Sequence, residues 1–80
     1  MMDIKLYLTP TDPWCKKAKE WLKKKKVSFE ECDVEESDKF RDEMLEKSGQ
    51  LAIPLIDFDG KIIIGFQEKA LEEALKNAKP

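Results

Sequence analysis

Ile4-Lys5-Leu6-Tyr7-Leu8-Thr9-Pro10-Thr11-Asp12-Pro13-Trp14-Cys15 packs a strand, a turn and a helix start into one short run, and its reading decides the fold. Ile4 to Leu8 alternates branched and aromatic residues, the pattern of a strand. Thr9-Pro10-Thr11 breaks it. Asp12-Pro13 then opens a helix: aspartate is a favoured N-cap, and proline suits the first helical position because its missing N–H would be unpaired there. From that point Trp14, Ala18, Trp21 and Leu22 recur at helical spacing, with Cys15 sharing part of the same face. Lys16, Lys17, Lys19 and the run Lys23 to Lys26 take the other face and the C-terminal end, where cations suit the helix dipole. A strand that turns into a helix bearing a thiol on its first turn is where an α/β protein places anion-binding or nucleophilic chemistry.

Outward from this stretch, Val27 to Val34 reads as a second strand, interrupted by its carboxylates. Ser37 or Asp38 can cap a second helix that carries Phe40, Met44 and Leu45 inward and stops at Ser48-Gly49. Ile53-Pro54-Leu55-Ile56-Asp57-Phe58, the Asp59-Gly60 pair and Lys61-Ile62-Ile63-Ile64 form a β-hairpin closed by an Asp-Gly turn. Gly65 ends the second hairpin strand, and a last helix from Gln67 to Ala78 puts Ala70, Leu71, Ala74, Leu75 and Ala78 on one stripe. The order β-α-β-α-β-β-α predicts an α/β fold. Its opening βαβ crossover is right-handed, and the hairpin adds antiparallel strands, making a four-stranded mixed sheet with helices on both faces. No repeat or linker divides the chain, and residues 1–80 are expected to form a single domain.

Composition narrows the function classes. Charged residues are 40% and hydrophobic ones 41%, as in a soluble globular chain, and the net charge of −2 supports neither nucleic acid nor an anionic membrane as partner. The lysines at 23 to 26 are followed by Glu30, Glu31, Asp33, Glu35 and Glu36 with no interleaved aromatics, so they read as a solvated helix end. No apolar run reaches membrane-spanning length. Met1-Met2-Asp3-Ile4-Lys5 lacks the pattern of a secretory signal, and a cytoplasmic location is expected. Cys15 and Cys32 form no C-x-x-C pair and there is no histidine, which argues against a disulfide framework and a zinc site alike.

With these residues in place the chain resembles the glutaredoxins of the thioredoxin superfamily, over nearly its full length. Thr9-Pro10-Thr11-Asp12-Pro13-Trp14-Cys15 is similar to that family's redox loop, Thr-x-x-Cys-Pro-x-Cys, except at Asp12. Ile53-Pro54 resembles the family's Val-Pro, whose cis proline faces the loop, and Gly65-Phe66-Gln67-Glu68 sits at the family's glycine turn into the last helix. The short length resembles the small NrdH-type and related bacterial or archaeal members more than the glutathione-binding ones. The resemblance implies disulfide reduction by thiol–disulfide exchange, the first cysteine attacking and the second, here Cys15, resolving. Protein disulfides and thiols, or a reductase of the redoxin type, are the implied partners. No cofactor or metal is implied: relatives that share an iron–sulfur cluster do so through the attacking cysteine, which this chain lacks. Gln67-Glu68 does not reproduce the family's glycine-x-aspartate pair, which speaks against glutathione. A monomer is expected.

Each site residue also has a plainer reading. Asp12 at the attacker's position is, first, an N-cap worth about 1 kcal/mol, accepting from the backbone N–H of Trp14 or Cys15. It keeps the negative charge of a thiolate and cannot attack sulfur, so the two-cysteine cycle is not available. Cys15, sharing the inward face with Ala18 and Leu22, reads as a small buried hydrophobe, with Asp12 raising its pKa against the helix dipole and Lys16. Cys32 reads as core. Trp14 reads by spacing as a helix-face core residue, and the resemblance implies that it is partly exposed next to Pro13 at the head of the helix. Pro54 is expected in the cis form by resemblance, leaving the Ile53 backbone free to pair with an extended segment, and Gly65-Phe66 would complete the groove. Two functions follow: a glutaredoxin-like oxidoreductase with activity absent or weak, and a non-catalytic module that binds a peptide or thiol-bearing partner.

Overall fold

The computed structural model describes residues 3–77. Its elements are β1 (Ile4–Leu8), α1 (Pro13–Lys24), β2 (Glu30–Asp33), α2 (Asp38–Ser48), β3 (Leu55–Phe58), β4 (Lys61–Ile64) and α3 (Glu68–Asn77), the expected order. The strands line up as β2-β1-β3-β4, with β1 and β2 parallel and the other two pairs antiparallel.

The ladder register sorts the side chains onto two faces. Tyr7 pairs with Cys32 on one side and Leu55 on the other, and Leu55 pairs with Ile64, so these four form a row facing α2. Leu6, Ile56 and Ile63 form the alternate row, facing α1 and α3. Because β1 is central and covered on both sides, Leu6, Tyr7 and Leu8 are all buried. The core under α1 and α3 also takes Ile4, Phe58, Cys15, Ala18, Trp21, Leu22, Leu71, Ala74 and Leu75. The core under α2 is smaller: Tyr7, Cys32, Val34, Met44 and Leu55, with Phe40 and Ile53 packed at its border.

Local chemistry explains the joints. Gly49 takes a left-handed φ of 76° just past α2, and its N–H returns to the Leu45 carbonyl, closing the helix as a C-terminal glycine does. Asp59 and Gly60 both have positive φ, 53° and 104°, the conformation that a type I′ hairpin turn demands. Of the two candidate caps for α2, Ser37 is the one used, its hydroxyl accepting from the Phe40 N–H.

Three element starts and one side-chain orientation differ from the sequence-based expectation. Pairing in β2 starts at Glu30 instead of residue 27, because the chain leaves α1 through Lys26 at φ 59° and needs Val27 to Phe29 to return to the sheet edge. Val27 and Phe29 still pack on the α1/α3 core. Leu45 does not point inward but is 40% exposed: it follows Met44 by one residue, about 100° round the helix. The β3 ladder begins at Leu55, so Ile53-Pro54 precedes the strand. The last helix starts at Glu68, Ala70 is partly buried on the expected stripe, and Ala78 lies outside the described residues.

Candidate functional site

The turn between β1 and α1 is closed by the Asp12 N–H donating to the Thr9 carbonyl at 3.3 Å. Asp12 then caps the helix from its extended backbone conformation. Its Oδ1 accepts from both the Trp14 N–H, at 2.8 Å, and the Cys15 N–H, at 3.1 Å. Both of the expected donors are used, and two of the helix's unpaired N–H groups are satisfied by one carboxylate oxygen. Pro13 occupies the first helical position.

Cys15 is fully buried against the α1/α3 core. Burial pushes its thiol pKa up, and the neighbouring Asp12 carboxylate pushes the same way. A hydrogen bond from the Thr9 backbone opposes both. The leading cause is therefore desolvation, with the Asp12 charge a smaller contribution, and the main opposing contact is the Thr9 backbone where the sequence pointed to Lys16. Cys32 is equally buried on the opposite face of the sheet, in register with Tyr7. The sheet thus separates the two thiols, and both are free. Burial also raises the Cys32 pKa, to about 11.

Trp14 points outward, 54% exposed, with the Lys17 ammonium 4.6 Å from its ring centroid. On its other side the Phe66 ring lies 6.5 Å away, tilted by 33°. Trp14, Ile53, Pro54, Gly65, Phe66 and Gln67 together line an open groove of about 360 Å³. The Ile53–Pro54 bond is cis. The Pro54 carbonyl accepts from Gly65 N–H at 2.7 Å, tying the groove's two walls together, and Gly65 has a φ of 84° that a side chain would strain. Gln67 anchors the entry to α3, its side-chain amide donating to the Ile64 carbonyl at 2.6 Å.

Of the residues singled out from sequence, Trp14, Ile53, Pro54, Gly65 and Phe66 converge on one groove from three separate segments. Asp12, Pro13 and Cys15 stand at the head of α1 beside Trp14 but do not line it. A second groove of about 270 Å³ shares Ile53 and runs toward α2 past Thr9, Val34, Glu35, Arg41, Met44 and Leu51. Sequence reasoning missed it. Its available signals were Leu51, an apolar residue among turn formers and 59% exposed, and Arg41, the chain's lone arginine.

Among the described residues no helix is long and apolar enough to cross a membrane, and no cluster of three His, Cys, Asp or Glu side chains is placed to hold a metal ion.

Residues 4–63 match the glutaredoxin family model. The chain is 44% identical over 73 residues to an uncharacterised glutaredoxin-like 8.6 kDa protein in a rubredoxin operon of Clostridium pasteurianum, covering 91% of this chain and 97% of that one. It is 35% identical over 65 residues to glutaredoxin 3 of Escherichia coli K12, covering 81% and 78%. Among solved structures it superposes on the glutaredoxin (grx-1) of Archaeoglobus fulgidus with a TM-score of 0.87 at 26% identity, over 95% of this chain and 88% of the other. The element order and the mixed four-stranded sheet agree with these matches, and the chain belongs to the glutaredoxin family of the thioredoxin superfamily.

Proposed function

We propose that this protein is a thiol–disulfide oxidoreductase by descent whose site, with Asp12 at the attacking position, binds thiol- or disulfide-bearing polypeptide but does not turn it over efficiently. Family membership supports the oxidoreductase type of function. The observation that carries the rest is the capping carboxylate: Asp12 Oδ1 takes the Trp14 and Cys15 N–H groups that would otherwise stabilise a thiolate at the helix start.

Exchange begins when a thiolate attacks one sulfur of a disulfide, forming a mixed disulfide and expelling the other sulfur as a thiolate. A second thiol then resolves it. A carboxylate cannot perform the first step. Cys15, at the resolving position, is buried and held toward its protonated form, so it is a poor substitute attacker. Binding is a separate matter. Trp14 and Phe66 offer an apolar contact, and the backbone N–H and C=O of Ile53 make no backbone hydrogen bond among the described residues, leaving them open to an extended strand. Pro13 and Pro54 stiffen the two sides. Residues 1–80 act as a single, cytoplasmic, monomeric unit in this reading. The partners are protein thiols and disulfides or a redoxin-type reductase, and Gln67-Glu68 argues against glutathione.

The preformed groove also favours a second reading, a non-catalytic peptide-binding module. Disulfide reduction by the protein and by its Asp12→Cys version separates the two. Turnover only by the cysteine version is the expected result. Failure of both shifts the balance to the binding module, and substantial turnover by the Asp12 protein overturns this account of the site.

A further inference from the structure

Helix α2 is seated differently from the other two. Met44 is its sole fully buried residue, whereas α1 buries Cys15, Ala18, Trp21 and Leu22, and α3 buries Leu71, Ala74 and Leu75. With little apolar area to hold it, α2 is fastened by polar side chains. Lys47 Nζ donates to Asp57 Oδ2 of β3 and to the Tyr7 hydroxyl of β1, each at 2.7 Å, and lies 4.9 Å from the Tyr7 ring centroid. The Tyr7 hydroxyl in turn donates to Glu43 Oε1 at 2.8 Å, one turn back along α2. Asp57 is a charged residue in the interior, 8% exposed, and its second oxygen is taken by the Gly60 N–H at 2.7 Å. Two residues of α2 are thus latched to two neighbouring strands through one connected network. Lys5 is the charged neighbour on the same sheet face, paired in register with both Asp57 and Glu30.

We infer that α2 is a flap held shut by the Lys47–Asp57–Tyr7–Glu43 latch, opening as a unit while the α1/α3 face stays closed. Local opening follows the weakest-seated element, and its free energy falls when the contacts confined to that element are removed. Opening would uncover what lies under α2, Cys32 beside Tyr7, Met44 and Leu55. It would also displace Met44 and Arg41, which form one wall of the second groove with Ile53 and Thr9. The flap therefore couples the width of that groove to a polar latch that does not include Asp12. This inference rests on the seating of α2 and stands whether or not the site turns over disulfides.

The two thiols report on the two faces separately. Each is labelled with iodoacetamide at one fixed pH, and mass spectrometry of the digested protein gives a rate for Cys15 and a rate for Cys32. In Lys47→Met, which removes the ammonium and leaves the methylene stem, Cys32 labelling accelerates by about tenfold or more while Cys15 changes by less than about twofold. Tyr7→Phe keeps the ring and the ion pair and loses only the hydroxyl, so Cys32 accelerates selectively by about threefold. Equal acceleration of both thiols means general destabilisation and overturns the inference, as does an unchanged Cys32 rate. Where Lys47→Met fails to fold, the ratio of the two rates in Tyr7→Phe decides alone.

Discussion

The two faces of one four-stranded sheet are held by different physics. Under α1 and α3 lies a continuous apolar core that includes Leu6, Ile56, Leu22 and Leu71, all without solvent exposure. Under α2 a smaller core is joined by a half-buried ion pair, Lys47 with the buried Asp57, and by a tyrosine hydroxyl bonded to both Lys47 and Glu43. An apolar face is non-directional, and it seats a helix firmly without specifying one geometry. A charged pair in the interior is costly unless every lone pair and proton is met, and breaking one side leaves the other stranded. The candidate site sits where the faces meet: Ile53 packs against both cores and lines both grooves. The face that supports the Asp12–Cys15 turn is the one with the larger apolar core, and the face that supplies the second groove is the latched one.

The sharpest attempt to break this contrast removes one large side chain from each face. Leu22→Ala should cost about 3 kcal/mol in urea denaturation, since the α1/α3 core cannot close round the gap. Met44→Ala should cost less, about 2 kcal/mol, because α2 can settle toward the sheet and methionine is easily repacked round. Equal losses would mean that the two faces are seated alike.

Alkaline pH probes both faces at once. The Cys32 thiol has its folded pKa raised from 9.0 to about 11, chiefly by burial and then by the Glu30 charge, with Lys5 opposing. The folded state therefore favours the proton, and the resulting stability is fully present below pH 9.0 and lost as pH rises toward about 11. At roughly 1.4 kcal/mol per pKa unit the loss at the upper end is about 2 kcal/mol. Cys15 and Tyr7 are shifted in the same direction, again by burial first, so they steepen the decline. Cys32→Val should flatten the stability curve between these limits, measured by thermal melting in a pH series. An unchanged slope would mean that the α2 face already admits water to the thiol.

The smallest effect concerns the joint between strand and helix. Asp12→Ala removes the acceptor for two N–H groups and should lower stability by about 1 kcal/mol, while Asp12→Asn, also a good cap, should recover most of it. Chemical denaturation of the two variants side by side checks this. If Asp12→Ala is neutral, the carboxylate is not the cap that holds the loop in place, and its charge matters only for the site.

Much of the fold and part of the site were legible because they obey short-range rules. The alternation in Ile4–Leu8, the Asp12-Pro13 helix start, the Gly49 stop and the Asp59-Gly60 turn each follow from a side chain acting on its own backbone. Cys15 inward follows from helical spacing. Trp14 shares the apolar spacing of that helix yet turns outward beside Phe66, which spacing alone does not tell and only the family resemblance implied. The errors lie where spacing gives no answer. Nothing local marks where Val27 to Phe29 stops returning and starts pairing, and Leu45 is as apolar as its inward neighbour Met44. The second groove escaped because Thr9, Arg41 and Leu51 belong to three different connections and have no shared period.

The sequence by itself determined which segments become strands and helices, how the head of α1 is capped, and that a carboxylate stands at its N-cap. Those outcomes depend on interactions within a few residues, where propensity, periodicity and capping act. Only the tertiary structure decided that Cys15 and Cys32 lie on opposite sides of the sheet, since that depends on the register of β1 with β2. Only it brought Trp14, Ile53 and Phe66 into one groove and Lys47 onto Asp57 and Tyr7. These are meetings between distant segments, and they exist only once sheet order and helix packing are in place.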